Sequence, residues 1–285
     1  MAYPTIDKPY GFKPINLIGG QVFAGSTRNL PIQYSYATNI FYGDFVVLAS
    51  GFVTRATVTT GAGLNQVVGV FLGCSYTDPT TKQKRFSQYW PAGTLAGDAV
   101  AVICDDPDTV FKAVMVTTQG GTTVGSASLR IIGSNLNASD LAGSTATGNS
   151  FNGILAATTT PVTTTLPIRI VDVVRDTAVS VTATGASSST TITLSGTGLP
   201  SAIVSGTDVA YIAANGQLIQ TGSYVNNASG YAAGSTSITI NAAIAVPAGS
   251  LTAIPSASTI VFTQYPEVLC KIQFGAHGYY SATGT

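Results

Sequence analysis

Proton transfer and nucleophilic attack need a base, and the chain holds a single histidine, His277, in Gly275-Ala276-His277-Gly278-Tyr279. No nucleophile motif accompanies it: G-x-S-x-G is absent, and the glycine-rich Gly61-Ala62-Gly63 lacks the Gly-Lys-Ser/Thr of a phosphate-binding loop. His277 is therefore read as a structural or surface residue. Glycoside hydrolysis would need two carboxylates facing one bond, and Asp44, Asp98 and Glu267 could serve only if the fold brings two of them together. Cys104-Asp105-Asp106-Pro107-Asp108 offers oxygens to a hard cation, but it lacks the spaced Asp/Asn pattern and closing Glu of a calcium loop, so it reads as a solvated turn. Cys74, Cys104 and Cys270 form an odd set without C-x-x-C spacing, which argues for small buried hydrophobes over a disulfide framework or a zinc site. The expectation is a chain that is not an enzyme, with no catalytic residue, no metal and no cofactor.

The elements around these residues read as strands. Runs such as Asn39–Leu48, Asn65–Gly73, Gly97–Ile103 and Leu166–Val174 alternate with Gly, Asn, Asp or Pro punctuation. No dozen residues keep an i, i+3, i+4 apolar pattern, so helix is limited to a turn or two, placed at Ala138 to Leu141. Gly43-Asp44 and Gly97-Asp98 each enter a strand-like run and read as tight turns, with Gly at positive φ and Asp capping the backbone. Lys82-Gln83-Lys84-Arg85 lies between strand-like runs and reads as a loop. Pro4, Pro9 and Pro14 fix φ and remove backbone donors, so residues 1–14 read as an extended arm with Tyr3, Tyr10 and Phe12 as apolar anchors for another surface.

Composition then divides the chain. From Thr177 to Pro266 the only Asp, Glu, Lys, Arg or His is Asp208, whereas ordinary domains are about one quarter charged. Ser, Thr, Ala, Gly, Asn, Val and Ile make up most of the block, a mixture suited to strands. Ser189–Leu194 resembles Ser235–Ile240, which suggests two similar hairpin units within one sandwich, and Asn215-Gly216 marks a two-residue hairpin turn. The expected fold is all-β: a β-sandwich or barrel-like body over 15–176 plus 265–285, an inserted charge-poor immunoglobulin-like β-sandwich over 177–264, and the arm over 1–14.

Twelve basic and twelve acidic residues give zero net charge, which favours association and leaves no basic excess for nucleic acid. The first nine residues lack the basic and apolar regions of a signal peptide, and no apolar run reaches the length of a membrane span, so assembly in the cytoplasm without a membrane partner is expected.

Val70–Pro79, continuing through Phe86–Gly93, resembles a group of tailed-phage virion proteins that decorate or cement the capsid. Pro9–Pro14, Thr38–Asp44 and the tail Glu267–Ile272, which looks like the family's closing strand, are similar to the same group. The resemblance runs to about Asp176 and resumes near Tyr265, leaving the charge-poor block as an insertion. It implies a homo-oligomeric capsid decoration protein on the outer surface of the virion, bound between major capsid proteins and stabilising the shell. Trimers are favoured by analogy, and dimers are compatible with the residues. Tyr3, Pro4, Tyr10, Phe12, Lys82, Lys84 and Arg85 are the candidate contacts to capsid or neighbour. The alternative is a head-fibre or tail-associated surface module whose inserted domain binds host glycans, with Tyr211, Tyr224 and Tyr231 as candidate sugar-stacking residues.

Overall fold

The computed structural model describes residues 6–57, 66–127, 129–155, 166–175, 178–184, 190–213, 215–242 and 254–280. Among them every regular element except two 3-10 turns is a strand, so the chain is all-β. In chain order the strands are β1 (Lys13–Leu17), β2 (Arg28–Pro31), β3 (Phe45–Ala49), β4 (Phe52–Arg55), β5 (Gly69–Thr77), β6 (Lys84–Ser87), β7 (Val100–Cys104), β8 (Thr109–Val116), β9 (Asn135–Leu136) and β10 (Ala138–Ser139). They continue with β11 (Gly153–Leu155), β12 (Ile168–Val173), β13 (Ala178–Thr182), β14 (Thr191–Thr193), β15 (Asp208–Ile212), β16 (Leu218–Tyr224), β17 (Ser237–Thr239), β18 (Thr259–Thr263) and β19 (Glu267–Ile272). The 3-10 turns are Leu129–Ile131 and Phe274–Ala276. The turn expected at Ala138 to Leu141 is instead short strand β10, which pairs with β11. Ala138 and Ser139 are both buried, so a ladder satisfies their backbone where a solvated turn would not.

Two sheets form the body. The six-stranded sheet runs β2-β7-β5-β3-β4, with β6 added beside β5. Its first and last strands meet through a parallel bridge between Ile32 and Val53, which nearly closes it into a barrel. Inside lie Trp90, Phe71, Ile40, Val46 and Ile103. The seven-stranded sheet runs β10-β11-β8-β19-β12-β9, with β1 beside β8. A second apolar cluster draws Val70, Phe45 and Cys104 from the barrel and Phe111, Ala113, Met115 and Val268 from the seven-stranded sheet. The barrel wall is therefore covered on both sides. That is why Val70-Phe71-Leu72 is continuously apolar instead of alternating.

The N-terminal segment corrects an expectation. Phe12 is fully buried and packs on Phe45 with ring centroids 4.2 Å apart, and Lys13 and Pro14, read as the end of the arm, open the paired strand β1. Pro14 is accommodated because the register shifts between Pro14 and Asn16, a bulge where a missing donor is tolerated. The docking depends on two glycines. A Cβ on Gly43, which has φ +91°, would lie 2.8 Å from the Phe12 nitrogen, and one on Gly11 would lie 2.9 Å from the Gly43 Cα. Without those Cβ atoms the backbones touch, and the Phe12 N–H donates to the Gly43 carbonyl at 3.1 Å.

Between β12 and β19 the chain makes one long excursion. The two strands are antiparallel neighbours, and the Val174 N–H donates to the Glu267 carbonyl at 3.0 Å, so departure and return lie side by side. Within the excursion, one sheet runs β13-β18-β15-β16 and a second joins β14 to β17. A third apolar cluster, including Ile192, Val209, Tyr211, Ile238, Ile260 and Phe262, is built only from residues of the excursion. The two similar Ser/Thr segments are not separate hairpin units. They pair with each other, Ile192 opposite Ile238, because each contributes its isoleucine to the same core. The Asn215-Gly216 hairpin joins β15 to β16 but is not a two-residue turn. The Gly216 N–H donates to the Ala213 carbonyl at 2.8 Å and the Ala213 N–H to the Gln217 carbonyl at 2.9 Å, and among the described loop residues Gly216 alone has positive φ, which is the longer loop with a glycine bulge.

Candidate functional site

The residues whose chemistry could support a reaction are held apart and engaged. Asp44 is fully buried, and its carboxylate accepts from the Phe41 N–H at 2.8 Å, Ser150 Oγ at 2.6 Å, Asn152 Nδ2 at 3.0 Å and Arg55 Nε at 3.0 Å. Burial pushes this carboxyl upward, while Arg55 and the hydrogen bonds oppose the shift. Arg55 also donates to Asp140 and, at 3.3 Å, to the Leu141 carbonyl, so one guanidinium fastens the turn before β3 to the chain after β10. Asp98 differs from its apparent twin. Gly97 has no positive φ, and Asp98 is an exposed acceptor for the Thr77 N–H at 3.0 Å and Lys84 Nζ at 3.0 Å, contacts that hold its carboxyl well below the usual range. Glu267 accepts from Tyr10 Oη and pairs with Lys112 at 3.2 Å. Asp44, Asp98 and Glu267 thus sit in three different networks.

His277 is buried with its ring centroid 5.0 Å from that of Tyr279 and 5.9 Å from that of Tyr280. Its Nδ1 accepts from the Tyr279 N–H at 3.3 Å, and burial holds its pKa below the ordinary value. Tyr279 Oη donates to Asp105, which also pairs with Arg28 at 2.9 Å. Burial, reinforced by Asp105, pushes the Tyr279 hydroxyl up to about 12. The acidic turn is used internally too, since the Asp108 N–H donates to Asp106 at 2.9 Å and Lys271 pairs with Asp108 at 3.2 Å. All three cysteines are buried, which pushes the Cys74 thiol up to about 12, Cys104 to about 11 and Cys270 upward as well, so they are protonated at neutral pH. Among the described residues no group of His, Cys, Asp and Glu is arranged to hold a metal ion.

What the structure does present is a face beside β6. Phe86 is 85% exposed in the middle of that strand, and it borders a groove of about 550 Å³ lined also by Tyr42, Leu72, Gly73, Gln88 and Val102. Gly73 makes the groove: its φ of +146° marks the bulge in β5, and a Cβ there would stand 3.0 Å from the Ser87 carbonyl oxygen. Lys84 and Arg85 belong to β6 rather than to a loop, and each has a carboxylate partner, Asp98 at 3.0 Å and Asp78 at 3.1 Å. Lys82 is exposed at the hairpin tip with φ +58°.

Of the candidate contacts, Lys82, Lys84 and Arg85 are thus brought together, with Phe86 among them. Tyr10 lies half-buried at the other sheet with Lys13 Nζ 4.2 Å from its ring centroid, and Phe12 is removed from the list because it fills the protein's own core. Tyr3 and Pro4 lie outside the described residues. Among the candidate sugar-stacking residues, Tyr211 is fully buried in the core of the excursion and has no face to offer a sugar. Tyr231 packs against the same core and its hydroxyl accepts the Thr239 N–H at 2.8 Å, while Tyr224 is half-buried at the end of β16. Phe86 itself was not singled out by its sequence context. The available signal was an isolated aromatic in the polar strand Lys84-Arg85-Phe86-Ser87, opposite Ser75 instead of an apolar partner. The chain matches no protein-family model, and no curated protein matches it.

Proposed function

We propose that this chain is a capsid decoration protein of a tailed phage, which binds the outer surface of the head between major capsid proteins and stabilises the shell. The observation that carries this reading is the β6 face: a strand with one edge unpaired among the described residues and a phenylalanine 85% exposed. An exposed aromatic beside an apolar groove and a backbone edge is the ordinary material of a docking surface. The resemblance of Val70–Pro79 and Phe86–Gly93 to virion proteins supports the reading, because these segments supply both the groove and the strand. The long excursion between β12 and β19 behaves in this reading as an inserted domain carried by the body. Its cohesion comes from its own core, so it can occupy space on a particle surface without altering the capsid-binding sheets. Repetition over a shell multiplies modest contacts through effective concentration, and no reactive centre is needed.

The test is cosedimentation of the purified chain with tailed-phage head shells that lack a decoration protein. The chain is expected to pellet with the shells, with only a mild loss between low and high salt, since the cations of the face are already paired. A chain left in the supernatant at all salt concentrations contradicts the proposal.

A further inference from the structure

The phase of the β5–β6 ladder determines which groups β6 offers to a partner. The Asp78 N–H donates to the Gln83 carbonyl at 2.9 Å, and the register continues as Thr77 opposite Lys84, Tyr76 opposite Arg85, Ser75 opposite Phe86 and Cys74 opposite Ser87. Hydrogen-bonded pairs alternate in an antiparallel ladder, so Arg85 and Ser87 turn their backbone groups toward β5 while Lys84 and Phe86 turn theirs away. An independent contact agrees: Thr77, opposite Lys84, aims its N–H away from β6 and donates to Asp98. The outer edge of β6 therefore presents the N–H and C=O of Lys84 and Phe86 with no neighbouring strand among the described residues.

We infer that this edge pairs with the same edge of a second copy, antiparallel about a twofold axis through Phe86. A twofold antiparallel pair must match outward-facing residues with outward-facing residues, which leaves four centres within β6. Centring on Ser87 sets Lys84 against Trp90, whose N–H and carbonyl are already paired with those of Ile40. Centring on Lys84 sets Lys84 against Lys84, and centring on Arg85 sets Arg85 against Arg85, both like-charge pairs that destabilise a ladder. Centring on Phe86 sets Phe86 against Phe86, Arg85 against Ser87 and Lys84 against Gln88, with no like charges opposed. Edge lysines and arginines usually prevent such pairing, but in this register each cation lies opposite a neutral residue, Arg85 opposite Ser87 and Lys84 opposite Gln88. The chain's zero net charge removes the long-range barrier to approach. One strand pair buries less than a standard interface of about 1,600 Å², so the free dimer is weak and concentration-dependent.

The inference deepens the proposed self-association but is read on the free chain, so failure to bind shells leaves it standing and its own failure leaves shell binding standing. In sedimentation velocity over a micromolar to near-millimolar series, the weight-average mass is expected to rise from 29.0 kDa toward twice that value. Phe86→Lys, which places two ammonium groups at the axis, is expected to remain monomeric with an unchanged circular dichroism spectrum. Phe86→Cys is expected to form a disulfide-linked dimer under mild oxidation, because a hydrogen-bonded antiparallel pair holds its Cα atoms about 5.5 Å apart, within disulfide reach. A wild type that stays monomeric throughout, or a dimer that Phe86→Lys leaves intact and Phe86→Cys fails to crosslink, overturns the inference.

Discussion

The body and the excursion between β12 and β19 solve the same problem with different chemistry. In the body, ion pairs link distant segments: Arg55, largely buried, lies between Asp44 and Asp140, and partly exposed pairs at Arg28–Asp105, Lys112–Glu267 and Lys271–Asp108 add further ties. In the excursion, hydroxyls donate to carbonyls instead. Thr221 Oγ1 reaches the Val209 carbonyl at 2.6 Å, Thr207 Oγ1 the Val204 carbonyl at 2.7 Å, and Ser195 Oγ the Thr182 carbonyl at 2.9 Å. The one charged residue from Thr177 to Pro266, Asp208, is buried and accepts from the Leu129 N–H of the body. A buried ion pair imposes a partner and a register, whereas hydroxyl bonds need only nearby backbone. The difference shows that the body is specified by pairwise recognition and the excursion by apolar patterning with local polar repair.

The comparison can be broken most directly at Arg55. Arg55→Met leaves Asp44 buried without its counter-charge and is expected to cost about 3–5 kcal/mol in urea unfolding. Hydrogen exchange should show the loss over β3, β4 and residues 140–152, with protection of β15 and β18 retained. Loss spread equally over both regions would show that they unfold as one unit. Thr221→Val is the matching change in the excursion. It removes the bond to the Val209 carbonyl and is expected to cost about 1–3 kcal/mol, with protection lost in β15 and β16. An effect as large as that of Arg55→Met would erase the distinction drawn here.

Acid sharpens the contrast with a smaller effect. The folded pKa of His277 is depressed, so between that value and about 6.5 the unfolded chain binds the extra proton. Its contribution is complete above about pH 6.5 and is lost as pH falls through the folded value. The excursion contains no histidine. Exchange at residues 274–280 and at Val67, whose N–H donates to the Ala276 carbonyl at 3.0 Å, should therefore speed up on acidification before exchange in β15 or β18. His277→Gln should flatten that pH profile.

Much of the fold was legible because strands announce themselves locally. Leu166–Val174, read as strand-like from its own residues, contains β12, and Gly43-Asp44 does place positive φ and a backbone-capping carboxylate at the entry to β3. What escaped depends on distance. Arg55 and Asp140 are 85 residues apart, and nothing local marks them as a pair. Phe12 looked like a free anchor because prolines surround it, but the Gly11–Gly43 contact that admits it to the core is itself non-local. Ser189–Leu194 and Ser235–Ile240 resemble each other because they are partners on one ladder, a relation that repetition alone does not distinguish from two copies of a unit. The candidate face was half visible: the basic residues of the β5–β6 hairpin stood out, while the exposure of Phe86 follows only from the position of β6 at a sheet edge.

The proposed function is adhesion through the β6 face. Cryo-electron imaging of undecorated tailed-phage heads, with and without the purified chain, tests it most directly. The account predicts added density on the outer surface of the shell, with the β6 face and Phe86 buried in the contact that holds it there. Heads that stay bare at saturating chain concentration contradict it.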